Sequence, residues 1–179
     1  MLDQLGHLDS VMDVACGPGR FAPVLADHCR WLVQTDYSAH MLDLSREDHP
    51  LDNRPASYLQ ADAHFLPVCD GGVDMVFCHR FLNHLSNPAD LVRVLKELAR
   101  VSRRYVVVSC LGLPSLFRWL RKGIRLFSDR PAGEMSVEVR DLLRCASEAG
   151  LVLLKQAPIR RYVGSSKFLI MVKKLSDAS

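Results

Sequence analysis

The stretch Val11-Met12-Asp13-Val14-Ala15-Cys16-Gly17-Pro18-Gly19-Arg20-Phe21-Ala22 decides the fold. A short apolar run over residues 11–15 reads as a strand that ends in two closely spaced glycines. A helical pattern over residues 21–29 follows, and a second apolar run over 31–35 completes a strand-helix-strand unit. Gly17 and Gly19 permit a tight turn and let a ligand approach the backbone, while the following helix offers unpaired N–H groups. Alone, such a turn serves equally as a packing turn, and residues 17–22 also fit the glycine pattern of dinucleotide-binding proteins. Asp36, at the end of the second strand, adds a carboxylate able to accept hydrogen bonds from two ribose hydroxyls. Its alternative is to cap the helix that begins near Ser38. The joint occurrence of the glycine turn and Asp36 at this spacing favours the ribose role.

Outward from this unit the alternation continues. A helix is predicted over 38–46, a strand over 57–60, a buried strand over 73–78, and an amphipathic helix over 88–101 with Asn87 as its cap and Pro88 in its first turn. A strand over 105–110, an irregular insertion over 111–136, a helix over 137–149 closed by Gly150, and strands over 151–157 and 168–173 complete the chain. The basic turn Arg160, Arg161 joins the last two strands. The pattern predicts an α/β fold: one domain over residues 1–179 with a doubly wound, mostly parallel seven-stranded sheet and an antiparallel C-terminal strand.

A chain of 179 residues, 49% hydrophobic, is long enough to bury a core without disulfides or a structural metal. Cys16, Cys29, Cys69, Cys78, Cys110 and Cys145 form no Cys-x-x-Cys pair, which argues against a zinc ribbon and fits thiols in a reducing compartment. Asp3 and Asp9 interrupt the first apolar stretch, and no apolar run reaches the roughly 20 residues needed to span a bilayer. The expected location is cytoplasmic. Charge divides along the chain: residues 1–90 carry 5 basic against 13 acidic side chains, and residues 91–179 carry 18 against 7. The two halves then face different partners or different sides of one site, unless their solvated faces merely differ.

In order along the chain, residues 11–20, Gln34-Thr35-Asp36-Tyr37-Ser38-Ala39-His40-Met41-Leu42, Gln60-Ala61-Asp62-Ala63-His64-Phe65-Leu66-Pro67 and the segment 77–85 resemble the motifs of the class I S-adenosylmethionine-dependent methyltransferases. The resemblance covers nearly the whole chain, and the order is more specific than any one motif. It implies a Rossmann-like methyltransferase fold, S-adenosylmethionine as cofactor, and roles for particular residues. Asp13, Gly17 and Gly19 would shape the methionine end and Asp36 would bind the ribose. Asp62 would accept from the adenine amino group while Ala63 presents its backbone, and Tyr37 and Met41 would give the adenine ring apolar faces. Outside the motifs, Tyr37 and Met41 read as core residues and Asp62 as a turn residue. The pattern departs from the family at two places: only about ten residues precede the first strand, where a covering helix often stands, and Val101-Ser102-Arg103-Arg104-Tyr105 replaces the usual proline-glycine turn.

Methyl transfer asks chiefly for positioning, with a base needed only when the acceptor must lose a proton. His79 and His84, just past the fourth strand, are the candidates for that base, and His79 is also a candidate cofactor contact; packing and capping are equal alternatives. A metal site from Cys78, His79 and His84 is disfavoured, because neighbouring side chains of an extended segment point to opposite faces. Within the insertion, Leu116, Phe117, Trp119, Leu120, Ile124, Leu126 and Phe127 share one half of a helical projection and Arg118, Arg121, Lys122 and Arg125 the other. This basic amphipathic segment, 112–136, reads as lid-like, with peripheral contact on an anionic membrane as a second reading and packing on the body with a solvated basic face as a third; another subunit, in an oligomer, would equally suit its apolar half. The expected acceptor is a small or lipid-linked molecule, anionic if it meets the basic face. Sparse aromatics that do not alternate with basic residues argue against nucleic acid. A non-catalytic S-adenosylmethionine-binding regulator and a nicotinamide-dependent oxidoreductase are the competing classes.

Overall fold

The computed structural model describes residues 2–51, 54–85, 87–110, 139–158 and 167–174. Seven strands form a single sheet: β1 (Leu8–Val14), β2 (Cys29–Asp36), β3 (Ala56–Gln60), β4 (Val73–Cys78), β5 (Ser102–Cys110), β6 (Leu151–Pro158) and β7 (Lys167–Lys173). They lie in the order β3-β2-β1-β4-β5-β7-β6. The first five are parallel, while β7 runs antiparallel to both β5 and β6. The doubly wound sheet and its antiparallel C-terminal strand are as expected, with the refinement that β7 is one place in from the edge. The insertion 112–136 and the turn Arg160, Arg161 lie outside the described residues.

Among the described residues, four helices connect the strands: α1 (Ala22–Ala26), α2 (Ala39–Asp48), α3 (Pro88–Val101) and α4 (Val139–Glu148). Asn87 caps α3, its Oδ1 accepting from the Asp90 N–H at 2.9 Å, and Pro88 occupies the first turn, as the sequence predicts. One face of α3 buries Leu91, Val94, Leu95 and Leu98 together with Leu142 and Cys145 of α4 against β4 and β5. Each such leucine contributes about 1.5–3 kcal/mol by leaving water. A smaller core on the other face packs Ala22 and Leu25 of α1 against Val11, Met75, Phe77 and Ile170.

The predicted helix over 21–29 is a correction: α1 stops at Ala26 and β2 already begins at Cys29. Cys29 and Leu32 are both buried in the smaller core, and the Leu8 N–H bonds the His28 carbonyl at 3.0 Å to seat the start of β2 beside β1. Pairing in the central sheet outweighs the helical propensity of two residues. Strand β5 likewise starts earlier than expected. Ser102 directly follows α3, its N–H closing the helix on the Leu98 carbonyl and its hydroxyl donating to the Tyr105 carbonyl at 2.8 Å.

Candidate active site

The order β2-β1-β4 places the switch in winding direction between β1 and β4, and open α/β sheets bind ligands outside the carboxyl ends of their strands at such a point. The turn after β1 is tightly bent. Ala15 (φ +55°), Gly17 (φ +55°) and Gly19 (φ +73°) all adopt left-handed backbone. The Cys16 N–H donates to the Thr35 carbonyl at 2.9 Å, and the Thr35 hydroxyl donates to the Asp13 carbonyl at 2.8 Å, so the turn hangs on the end of β2.

The two glycines have different surroundings. A Cβ on Gly17 would meet nothing within 4 Å, and Gly17 borders a cavity. A Cβ on Gly19 would overlap the Ser45 hydroxyl and stand 2.8 Å from the Ser45 Cβ and 3.1 Å from Gln34 Oε1. Gly17 is therefore placed for a ligand, whereas Gly19 lets α2 close against the turn, where the Ser45 hydroxyl donates to Gln34 at 2.6 Å.

Asp36 joins the turn to α2. Its Oδ2 accepts from the Gly17 N–H and its Oδ1 from the Ser38 N–H, both at 2.9 Å. A carboxylate offers about four acceptor positions, so two bonds fix its plane and leave lone pairs for ligand hydroxyls. The helix-directed alternative is realised in the structure, since Asp36 braces the cap residue Ser38. Tyr37, next to it, is 76% exposed, so it is no core residue, and Met41 is half-buried.

The cavity holds about 930 Å³, towards the upper end of the roughly 300–1,000 Å³ usual for ligand sites. Its lining includes Asp13 and Gly17, the rings of Phe21, Phe77, His79 and Phe168, and the basic residues Arg20 and Arg80. Asp13 is 2% exposed, and burial followed by the nearby Asp36 charge holds its carboxyl well above the usual carboxylate range. A buried carboxyl of this kind favours a cationic group that would let it ionise. The Cys16 thiol, also at the wall, is pushed up by burial and by both aspartates, so it stays protonated.

His79 stands inside an aromatic cluster, its ring centroid 4.7 Å from that of Phe21, 5.5 Å from Phe168 and 6.4 Å from Phe77. Burial, then the Arg80 and Arg20 charges, pushes its pKa down to about 4. The imidazole is neutral at neutral pH, and its buried Nδ1 has no protein partner among the described residues. Arg80 adopts a left-handed backbone (φ +65°), its N–H donating to the Ser109 hydroxyl at 2.7 Å. His84 is exposed on the short 3-10 helix Phe81–His84 and does not line the cavity.

Asp62 and Ala63 follow β3 on a loop bonded to the end of β2 through the Ala61 N–H and the Asp36 carbonyl at 3.0 Å. The Asp62 Oδ1 accepts from the His64 N–H at 2.9 Å and pairs with the His64 ring at 2.8 Å, bonds that hold its carboxyl below the usual range. Ala63 is buried beneath this turn. Of the residues singled out in the sequence, Asp13, Gly17 and His79 share the cavity wall. Asp36 is bonded to that wall through Gly17; Asp62 and Ala63 are joined to Asp36 through Ala61, and Gly19 serves packing. Sequence reasoning did not anticipate the gathering of Phe21, Phe77 and Phe168, from three distant segments, around His79; nothing in their local pattern marks it. These residues fit an adenosylated amino acid: open space at Gly17, a braced ribose-type carboxylate, an exposed aromatic beside it and a buried carboxyl for a cation.

Residues 12–108 match the family described as methyltransferase domain. Malonyl-[acyl-carrier protein] O-methyltransferase of Pectobacterium atrosepticum is 33% identical over 93 residues, 52% of this chain and 34% of that protein. Phosphoethanolamine N-methyltransferase 1 of Caenorhabditis elegans is 33% identical over 82 residues, 45% of this chain and 17% of that protein. The matched segments thus span about a third or less of these relatives. Among solved structures, magnesium protoporphyrin IX methyltransferase from Synechocystis with bound SAH superposes with a TM-score of 0.77 at 19% identity, covering 96% of this chain and 76% of that one. A methyltransferase-like protein from Bacillus halodurans gives 0.75 at 18% identity, covering 98% and 97%. Both share the fold described above.

Proposed function

This chain belongs to the methyltransferase domain family, and from that premise we propose that it binds S-adenosylmethionine at the β1–β4 switch point and transfers its methyl group to a small or lipid-linked acceptor bearing a negative charge. The observation that carries this reading is a cavity lined both by Asp13 and Gly17 and by His79 with its aromatic neighbours. The cofactor supplies a methyl group already activated on a positive sulfur. The protein's share is alignment and exclusion of water.

In this reading Asp36 receives the ribose hydroxyls, with Gly17 and Ser38 fixing its carboxylate beforehand. Tyr37 and Met41 flank the adenine, Asp62 accepts from its amino group, and Ala63 supports the loop from below. Gly17 admits the methionine arm to the turn, Gly19 holds α2 against it, and Asp13 faces the ammonium. Phe21, Phe77 and Phe168 give the acceptor an apolar wall, while Arg20 and Arg80 attract its charge. Of the two candidate bases, His79 is the one at the cavity wall. With a pKa near 4 it orients an acceptor better than it drives deprotonation, which suits an acceptor atom that is already ionised. The basic segment 112–136 is assigned to acceptor access. The protein acts in the cytoplasm, at a membrane surface where the acceptor is lipid-linked.

Calorimetric titration tests the cofactor site. Wild-type protein should bind S-adenosylhomocysteine in preference to a nicotinamide dinucleotide, and Asp36→Ala should lose about 1.5–3 kcal/mol per hydroxyl bond. Incubation of the protein with labelled S-adenosylmethionine and a cell extract tests turnover. A label released as methanol by alkali marks a carboxylate acceptor. Binding without any transfer would favour a regulatory protein, and dinucleotide preference would favour an oxidoreductase.

A further inference from the structure

Two side chains of helix α3 reach the backbone of the loop that carries Asp62. Glu97 Oε1 accepts from the Leu66 N–H at 2.7 Å. Arg100 Nη2 donates to the Leu66 carbonyl at 2.9 Å, and its Nη1 donates to the Val68 carbonyl at 2.7 Å. The two side chains are bonded to each other twice, Nη2 to Oε1 at 2.7 Å and Nε to Oε2 at 2.8 Å. Asp70, 81% exposed, adds an outer bond to Nη1 at 2.8 Å.

Both polar backbone groups of Leu66 are thus held by one fork-to-carboxylate pair. Such charge-assisted, doubly bonded pairs are among the strongest and most directional hydrogen-bonded links between side chains. Glu97 is largely covered, and its Arg100 partner keeps its carboxyl below the ordinary range, so the pair stays ionised. At its other end the loop is bonded to Asp36 through Ala61, and Gln60 Nε2 donates to the Tyr37 carbonyl at 3.0 Å. Between these anchors lie Asp62 and Ala63. Ties at both ends restrict the loop backbone from which Asp62 projects.

We propose that Glu97 and Arg100 are positioning residues that set the Asp62–Ala63 loop for recognition of the nucleobase, although neither touches the ligand. This inference rests on the cofactor site proposed above. An adenine reader must match an amino group, and misplacing an acceptor by about 1 Å forfeits much of a hydrogen bond. Loosening the clamp therefore costs base discrimination more than it costs grip on the ribose or the methionine arm.

The test is titration calorimetry of the whole chain with S-adenosylhomocysteine and with S-inosylhomocysteine, which carries a carbonyl where adenine carries its amino group. Wild type should prefer the adenosyl ligand. Glu97→Ala should bind it about tenfold more weakly and lose most of the preference, since one well-placed charged hydrogen bond is worth that much. Glu97→Gln, which keeps an oxygen for the Leu66 N–H, should recover most of the preference. Asp70→Ala should resemble wild type. Should Glu97→Ala fail to fold, Arg100→Lys keeps the charge without the fork and is expected to show the same loss. Folded Glu97→Ala or Arg100→Lys protein with undiminished affinity and preference would overturn the proposal. A wild-type chain that binds neither ligand would instead overturn the cofactor site, and the clamp's role with it.

Discussion

Replacing Gly17 and Gly19 with alanine, one at a time, separates a residue that makes room for a ligand from one that makes room for a helix. At both positions the left-handed backbone costs an L-residue about 1–2 kcal/mol. At Gly17 that is the whole cost to folding, because nothing lies within 4 Å of the new methyl group. At Gly19 the methyl group collides with Ser45, adding an overpacking cost of roughly 1–3 kcal/mol. Gly19→Ala should therefore lose about 2–5 kcal/mol, a large share of the ~5–15 kcal/mol that holds a typical domain together. For ligand affinity the ranking inverts. The Gly17→Ala methyl stands in the path proposed for the methionine arm and should weaken S-adenosylhomocysteine binding by roughly 5- to 150-fold, the equivalent of ~1–3 kcal/mol of overlap. Urea denaturation and calorimetric titration of both variants provide the two readouts, and Gly19→Ala/Ser45→Gly should regain part of the lost stability. Equal losses of stability in the two variants, or undiminished binding by Gly17→Ala, would refute the division of labour between the glycines.

Other expectations follow from single residues. Ala15 carries a side chain at φ +55°, so Ala15→Gly should raise stability by about 0.5–1 kcal/mol after the greater freedom of glycine in the unfolded chain is subtracted, measurable as a higher urea midpoint. Because His79 is held near pKa 4 against an ordinary 6.5, the unfolded chain takes up its proton first. Its contribution to stability is complete above 6.5 and is lost as pH falls towards 4. His79→Gln should accordingly show a smaller drop in urea midpoint than wild type between about pH 7 and about pH 5. Asp13 has the opposite sign. Its raised pKa makes the folded state the better proton holder, so ionising it costs stability as pH rises above 3.8. Asp13→Asn should match or exceed wild type in stability at neutral pH while binding S-adenosylmethionine more weakly. Replacing Arg118, Arg121, Lys122 and Arg125 with Gln should weaken acceptor use in a salt-dependent way and leave S-adenosylhomocysteine affinity unchanged, by kinetics at low and high ionic strength.

Local chemistry made some elements legible in advance. Helix α3 has the predicted bounds because Asn87-Pro88 opens it and an unbroken apolar stripe runs through it. Strand β4 has its predicted bounds because all six of its residues are buried. The ends of α1 and β5 were not legible, since they depend on pairing with strands remote in sequence. The same distinction holds at the site. Asp36 and Gly17 stand in a recognisable pattern, and the bond between them confirms that they are neighbours. Gly19 occupies the same motif, yet its surroundings depend on Ser45, 26 positions away. The cluster around His79 and the Glu97–Arg100 clamp are assembled by the fold from residues whose individual positions look like ordinary core and helix surface.

The place of β7 between β5 and β6 bears on the order in which the chain can be assembled as it is made. Strand β6 leaves the ribosome before β7 and has no seat on the sheet until β7 arrives, because it pairs with β7 alone. Until then β5 presents an open row of backbone donors and acceptors beside Val106 and Val108, which are fully buried in the finished domain. A nascent chain arrested before Lys167 thus displays two unsatisfied strand margins at once, the kind of surface that recruits other chains. Closing the sheet from within makes the pairing of β7 the step that satisfies both margins at once.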